Sequence, residues 1–600
     1  MERVDFSSIK ITGGFWASKQ ELVRNVTVKA VYDRFYETGR FDAFKCDENA
    51  PIKPHIFWDS DVAKWIEGVA YLTHEKREPE LEKIVDGVVD EIEKNQDENG
   101  YFNSFFLLPD ERKNQFKYRD CHELYCLGHL IEAAVAYYNA TGKDKLLKLM
   151  CKYVDYVEKV FKIQKSAGFL TPGHEEIELA LVRLYECTGE KRYLELSKYF
   201  VDTKGTEAST LTEWAELHYC QSHKPVREQE AAEGHAVRAT YLYCAMADLA
   251  LKYGDKELKA ACEKIFDNIA TKRMYITGGI GSSRYGEAFT VDYDLPNLIS
   301  YTESCAALGL ALFAHRMLLL TNDRKYADVV ERAIYNGFLS SISLDGKSFF
   351  YTNPLEIIPY MIERDTSQVH KNQLCLPDTQ RKEVFDCSCC PPNIVRFIPS
   401  IANFIYTTQG DTIYIHQFMD SEAEIKLGDK IIKIKQETTF PYGGKVKITT
   451  AGGKVRLAVR VPGWSSMECD SADGYLYTEQ SQIELDFMAK PRFAYANTSV
   501  LSDLGKCALC YGPLVYCMEK QDNPAHPKSI LIDSNTEPTI GYNEQLGVKT
   551  LIADCYILRG NEELYSFTPP TLERGKATFI PYFAFANRGQ DDMLVWCQYK

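Results

Sequence analysis

Thr141-Gly-Lys-Asp-Lys-Leu-Leu-Lys-Leu-Met-Cys-Lys-Tyr-Val-Asp-Tyr-Val157 holds a short turn and then an apolar stripe, Leu146, Met150, Tyr153/Val154 and Val157, at the spacing of one helix face. The turn recurs. Thr73-His-Glu-Lys-Arg-Glu-Pro-Glu-Leu81, Thr188-Gly-Glu-Lys-Arg-Tyr-Leu194, Tyr253-Gly-Asp-Lys-Glu-Leu258 and Thr321-Asn-Asp-Arg-Lys-Tyr326 break helices in a similar way, at successive intervals of 68, 47, 65 and 68 residues. Such an interval suits one pair of antiparallel helices with its connections. Repeated helical hairpins must bury their faces on one another, in an open solenoid or in a closed ring. Gly278-Gly-Ile-Gly-Ser-Ser-Arg-Tyr-Gly286 is long for a solenoid turn and suits a loop at the mouth of a ring. The expectation is an (α/α)6 barrel.

Beyond about residue 408 the period falls to two: Ile413-Tyr-Ile-His416, Ile431-Ile-Lys-Ile-Lys435, Val446-Lys-Ile-Thr449 and Leu457-Ala-Val-Arg-Val461, separated by Gly-Asp and Gly-Gly turns. A break at Asn497 to Gly505 divides this last third, because Cys507 to Cys517 and Tyr582 to Trp596 start new alternating strands. The expected organisation is multidomain, α followed by all-β. The barrel occupies 1–408 and a β-sandwich module 409–502. A second, jelly-roll-like sandwich module occupies 503–600, and its last strands are candidates to return to the first module.

At 600 residues, and with roughly 150 residues in an ordinary domain, several cores are expected. Hydrophobic residues at 45% and charged residues at 26% are globular values, and 36 Gly with 23 Pro exclude a collagenous or disordered chain. Seventy Lys and Arg against 85 Asp and Glu leave a net charge of −15 with no dense basic block, so nucleic acid is not expected as a partner. The start, Met1-Glu-Arg-Val-Asp-Phe, lacks a basic stretch followed by an apolar core, and no run of about 18 apolar residues occurs. Neither export nor a membrane is expected. Nineteen cysteines are an odd number in a chain too long to need disulfide staples. Free thiols in the cytoplasm are the expected state.

Cys389-Cys-Pro-Pro-Asn393 places two thiols beside the first turn of a helix, where prolines are tolerated and thiolate is favoured over thiol. Adjacent cysteines also serve as mere packing. Glu303-Ser-Cys305 opens another helix; two residues apart, the pair can share an ion only in an irregular first turn. Together Glu303, Cys305, Cys389 and Cys390 make a candidate zinc set of three thiolates and one carboxylate. On spacing alone scattered packing cysteines remain the commoner outcome, because the two halves lie far apart. Cys507-Ala-Leu-Cys510 has a metal-like spacing, but in a strand positions i and i+3 point to opposite faces, so packing is expected there.

The glycine-rich run at 278–286 has no strand before it in a βαβ setting and no Gly-Lys-Ser after it, so it is not read as a phosphate loop. Glu287 follows it among aromatic and small residues, where burial would raise a carboxyl pKa and suit a general acid; a solvated loop glutamate is the commoner outcome. His122, His174 and His235 each lie near a helix end and would line one mouth of a ring beside Trp58, Asp59 and Asp61. Imidazole, carboxylate and aromatic surfaces together suit a sugar. Singly, each histidine is more often a cap or a satisfied polar residue.

Trp58-Asp-Ser-Asp-Val-Ala-Lys-Trp-Ile-Glu-Gly68, His122-Glu-Leu-Tyr125, Gly173-His-Glu-Glu-Ile-Glu-Leu-Ala180, Gly234-His-Ala-Val-Arg-Ala239, Gly286-Glu287, Tyr301-Thr-Glu-Ser-Cys-Ala306, Phe350-Tyr-Thr-Asn-Pro-Leu355 and Cys389-Cys-Pro-Pro-Asn393 stand in the order seen in glycoside hydrolase family 127. The chain resembles the β-L-arabinofuranosidases of that family from Gly13-Gly-Phe-Trp16 to Phe585-Ala-Asn-Arg-Gly589. The resemblance implies an (α/α)6 barrel followed by β-sandwich modules. It also implies a retaining hydrolase that releases L-arabinose from β-L-arabinofuranosides of plant-derived oligosaccharides or glycopeptides. It assigns Cys389 as nucleophile, Glu287 as acid/base, zinc to Glu303, Cys305, Cys389 and Cys390, and sugar contacts to His122, His174, His235 and Tyr351. A zinc-held thiolate then replaces one of the two carboxylates, about 5 Å apart, of an ordinary retaining glycosidase. The chain departs from the family pattern at Val384-Phe385-Asp386, which precedes the cysteine cluster where a Trp is expected, and in the extra Cys387. Two other classes compete: an (α/α)6 epimerase or lyase around a structural zinc, and a non-catalytic carbohydrate-binding protein. The expected partner is a small oligosaccharide or glycopeptide, and a homodimer is among the expected states.

Overall fold

A computed structural model describes residues 1–206, 214–372, 376–384, 386–468, 471, 473–560 and 563–600. Phe385 lies outside these. Six helices form an inner ring: α1 (Trp58–Glu75), α2 (Glu123–Thr141), α3 (Ile177–Thr188), α4 (Ala236–Tyr253), α5 (Ser304–Thr321) and α6 (Cys390–Phe397). Each packs on the next, and α6 closes the ring against α1. Gly68 makes that closure tight, because a Cβ there would stand 2.5 Å from Val395 Cγ1 and 2.7 Å from its carbonyl oxygen.

Inner helices are enclosed on every side, so their apolar residues need no stripe; α1 is buried without interruption from Asp59 to Thr73. Outer helices bury one face only, as Val85, Val88, Val89 and Ile92 do on Pro79–Asn95. The recurring turns end α2, α3, α4 and α5 on Gly142, Gly189, Gly254 and Asn322, all left-handed, with φ of 75°, 76°, 64° and 61°. Helix α5 is long and apolar enough to cross a membrane, yet 78% of it is buried inside the protein. Every cysteine among the described residues is a free thiol.

Three sheets follow the barrel. The first runs Glu2–Arg3, Tyr406–Gln409, Thr412–Ile415, Arg456–Arg460, Tyr475–Thr478, and the second Gln482–Asp486, Lys445–Ala451, Lys430–Thr438, Ser421–Leu427, Ile9–Ile11. The third is built on Pro491–Ala494, Lys506–Tyr511, Leu514–Glu519, Thr571–Pro581, Val548–Arg559 and Ile530–Ile532. The chain start therefore differs from the expected 1–408 unit: Arg3 pairs with Thr407 and Ile9 with Ala423, so the first strands belong to the β region. The end also differs. Met593–Leu594 and Cys597–Gln598 pair within the third sheet rather than with the first module, and Met593 also pairs with Ile357 of the barrel chain. The β region is thus tied to the helical region at both chain ends.

Candidate active site

Several inner helices begin on a residue that carries chemistry. His122, His235, Glu303 and Cys389 hold the N-cap positions of α2, α4, α5 and α6, His235 with its side chain as the cap, while His174 stands three residues before the start of α3. Helix starts expose unpaired N–H groups and the positive end of the dipole, a setting that favours carboxylate and thiolate.

Cys305 Sγ lies 3.4 Å from Cys389 Sγ and 3.3 Å from Cys390 Sγ. Glu303 Oε1 lies 3.4 Å from Cys389 Sγ and 3.9 Å from Cys390 Sγ. All four ligand atoms fall within 4.8 Å of one another. Glu303 Oε2 is buried with no hydrogen-bond partner. Burial and the neighbouring Cys389 push the Glu303 carboxyl well above its ordinary range. Four acids around one point with an orphaned oxygen fit a bound cation, and three sulfurs in the set fit a soft one. The irregular first turn that Glu303 and Cys305 require is present: Glu303 has extended ψ at the cap position and bridges Thr352.

Glu287 is presented by a sharply turned loop. Gly278, Gly281 and Gly286 have φ of 77°, 82° and 68°, and Glu287 itself is left-handed at 51°. The loop is stitched down where Phe289 N–H donates to Gly234 O at 2.9 Å. Glu287 Oε2 accepts from His235 Nε2 at 2.8 Å and from Tyr351 OH at 3.4 Å, and Tyr301 adds a further hydrogen bond. His235 Nδ1 accepts the backbone N–H groups of Val237 and Arg238 as a helix cap, which leaves the ring proton on Nε2, facing Glu287. The expected rise in the Glu287 pKa is therefore corrected: burial pushes it up, but the donors from His235 and Tyr301 outweigh burial and hold it down at about 2.

His122, His174 and His235 form a row, with ring centres 5.7 and 5.6 Å apart. Burial pushes His122 down to about 3 and His174 well below its ordinary range, so both rings are neutral. Tyr351 OH also lies 3.8 Å from Cys387 Sγ. His235, Glu287 and Glu303 offer atoms within 4.8 Å of one another, which joins the acid end of the site to the cysteine end.

Asp59 and Asp61 stand differently. Both are buried; Asp59 Oδ2 accepts from Ser104 N–H at 2.9 Å, and Asp61 Oδ2 pairs with Arg40 Nε at 2.9 Å. Arg40 also donates to Asp386 O at 3.0 Å, so Asp61 steadies the segment leading to Cys389. Burial raises the Asp59 carboxyl to about 6. Three residues receive no role from the sequence: Tyr301 on Glu287, Asn393, whose Nδ2 donates to Cys305 Sγ at 3.0 Å, and Arg396 on Asn393. A helical i, i+3 polar pair within the otherwise apolar Ile394-Val395 run was the available signal for the last two.

Residues 8–403 match the family model for the catalytic domain of β-L-arabinofuranosidases of glycoside hydrolase family 127, residues 412–486 match its middle domain, and 491–598 match the family's C-terminal domain. A non-reducing end β-L-arabinofuranosidase of Bifidobacterium longum subsp. longum is 35% identical, over 90% of this chain and 89% of its own. The crystal structure of a family 127 β-L-arabinofuranosidase from Geobacillus stearothermophilus T6 superposes with a TM-score of 0.92 at 38% identity, over 99% of this chain and 100% of that one. A second solved β-arabinofuranosidase of the same family gives 0.89 at 35% identity, covering 100% and 98%.

Proposed function

The chain belongs to glycoside hydrolase family 127, and from that premise we propose that it is a retaining β-L-arabinofuranosidase with Cys389 as nucleophile and Glu287 as acid/base. The observation that carries this reading is the continuity of the site. Glu303 touches Cys389 on one side and lies within reach of Glu287 and His235 on the other. A furanose ring seated there has sulfur at one face of its anomeric carbon and a carboxyl beside its leaving oxygen.

Cys389 Sγ attacks the anomeric carbon as the glycosidic C–O bond breaks, and Glu287 gives its proton to the departing oxygen. Glu287, now a carboxylate, takes a proton from water; the water oxygen bonds the anomeric carbon, the C–S bond breaks and Cys389 returns as thiolate. Two inversions give retention. Zinc bound by Glu303, Cys305, Cys389 and Cys390 would keep the cysteines deprotonated near neutral pH. In the free site Glu287 is a carboxylate, so the first step requires the incoming sugar to displace its hydrogen bonds to His235 and Tyr301 and let burial raise its pKa. His122 and His174, neutral at working pH, both donate to and accept from hydroxyls.

The test is to trap the covalent intermediate. Glu287→Gln, given a dinitrophenyl β-L-arabinofuranoside, should accumulate one arabinosyl group on the peptide bearing Cys389, seen by mass spectrometry. Parental turnover by Cys389→Ala, or a first-formed sugar of inverted anomeric configuration in NMR, overturns the reading.

A further inference from the structure

We propose that Asn393 is a positioning residue that fixes Cys305 as the sulfur that stays on the metal; this rests on the zinc-and-cysteine reading above. Asn393 stands three residues after Cys390 on α6, and its Nδ2 donates to Cys305 Sγ at 3.0 Å. The orientation of its amide is set from behind, since Oδ1 accepts from Arg396 Nε at 2.7 Å and only the NH2 group is left to face sulfur. Arg396 gives NH1 to Glu67 Oε2 at 2.9 Å and NH2 to Tyr241 OH at 3.1 Å. Glu67 Oε1 accepts from Tyr71 OH at 2.7 Å and from Arg183 at 3.0 Å, and Arg183 also pairs with Glu132. Asn393, Arg396, Glu67 and Tyr241 are all buried. The chain of bonds runs from the cysteine cluster through Asn393 and Arg396 of α6 to Glu67 and Tyr71 of α1, Tyr241 of α4, Arg183 of α3 and Glu132 of α2.

An N–H donor on a thiolate draws off part of its charge. Such a sulfur is harder to protonate and a poorer nucleophile, so it remains a ligand. Cys389 has no such donor: among the described residues its sulfur meets Cys305, Cys390, Glu303 and Cys387 only. The two sulfurs are thus distinguished before any substrate arrives. Cys305 is fully buried and takes an amide N–H, while Cys389 is half-buried and meets only thiols and a carboxylate. Arg396 and the buried Lys64 also bring positive charge near a group that would carry four negative charges around a divalent ion.

The test uses Asn393→Leu in the full-length, metal-loaded protein. The variant keeps the branched shape and removes the donor. It should lose metal to a chelator about 10–100-fold faster than the parent, the range for removing a partner that orients a ligand. With cobalt in place of zinc, its sulfur-to-metal charge-transfer band should move to longer wavelength, because an unbonded thiolate lone pair lies higher in energy. kcat should fall with KM unchanged, since Asn393 touches no sugar. Tyr241→Phe, which removes only one bond to Arg396, should move the band and the chelation rate the same way by less, and serves if the leucine variant does not fold. An unchanged band and unchanged chelation rate in a folded variant overturn the proposal. A parent that binds no stoichiometric metal would instead sink the zinc reading, and that is visible without any Asn393 variant.

Discussion

Cys507 and Cys510 stand three residues apart on one strand and face opposite ways, whereas Cys305 and Cys389 are 84 residues apart and touch. Cys507 pairs in register with Cys597, and burial pushes its thiol up to about 12. The difference teaches where a ligand set comes from. Spacing along a strand brings side chains together only every second residue. Helix starts arranged around a ring bring them together whatever their separation in sequence, and they supply N–H groups and dipole for the charges that result.

The largest expected effect sets the two groups against each other. Cys305→Ser and Cys390→Ser should lose stoichiometric zinc by metal analysis, and their kcat/KM should fall by at least the 10–100-fold or so typical of losing even an outer partner of a metal ligand. Cys510→Ser should keep both. Zinc retained in Cys305→Ser with full activity would erase the contrast.

An effect confined to poor leaving groups tests whether the cysteine end works alone. Glu287→Gln should slow cleavage of arabinosides with poor leaving groups by about 10²–10⁴-fold, the usual contribution of a positioned acid, and should spare the first step for a dinitrophenyl leaving group. Equal losses in pre-steady-state bursts for both substrates would assign Glu287 to sugar binding instead.

The barrel was legible because its signals are local and repeated: the turns at Thr141, Thr188, Tyr253 and Thr321 end inner helices on residues with left-handed backbone. The pairing of the first strands was not. Glu2–Arg3 and Ile9–Ile11 are too short to show a period, and their partners Thr407 and Ala423 lie some 400 residues away. At the site, the residue types at Glu303, Cys305, Cys389 and Cys390 could be read, but only the fold shows that they meet. The Glu287 pKa failed for a related reason. Burial follows from apolar neighbours in sequence, while the opposing donors, His235 and Tyr301, come from other segments.

His235→Asn sharpens this point with an effect on pH rather than rate. Asparagine caps a helix well, so α4 keeps its start, but its side chain is too short to reach Glu287. The native donor favours the carboxylate; without it burial dominates and the Glu287 pKa rises. An acid must hold its proton to act, so the alkaline limb of kcat/KM should move to higher pH, by about one unit. A limb that stays in place, or moves to lower pH, would show that His235 does not set the charge of Glu287.

The smallest effect belongs to the strand cysteines, where the thiol is expected to act as a small apolar group. Cys507 is 2% exposed and lies in the core that joins Lys506–Tyr511 to the chain end at Cys597. Serine there has nearly the same volume but brings a hydroxyl that wants hydrogen bonds, at a cost of about 1–3 kcal/mol if it finds none. Alanine leaves a void of about one sulfur atom and brings no polar group, at a cost of about 1 kcal/mol. Thermal melts should therefore place Cys507→Ser below Cys507→Ala, with zinc content and kcat unchanged in both. If serine were the better tolerated of the two, the thiol would be making a polar contact, and the division between a reactive cysteine group and an inert pair would have to be redrawn at Cys507.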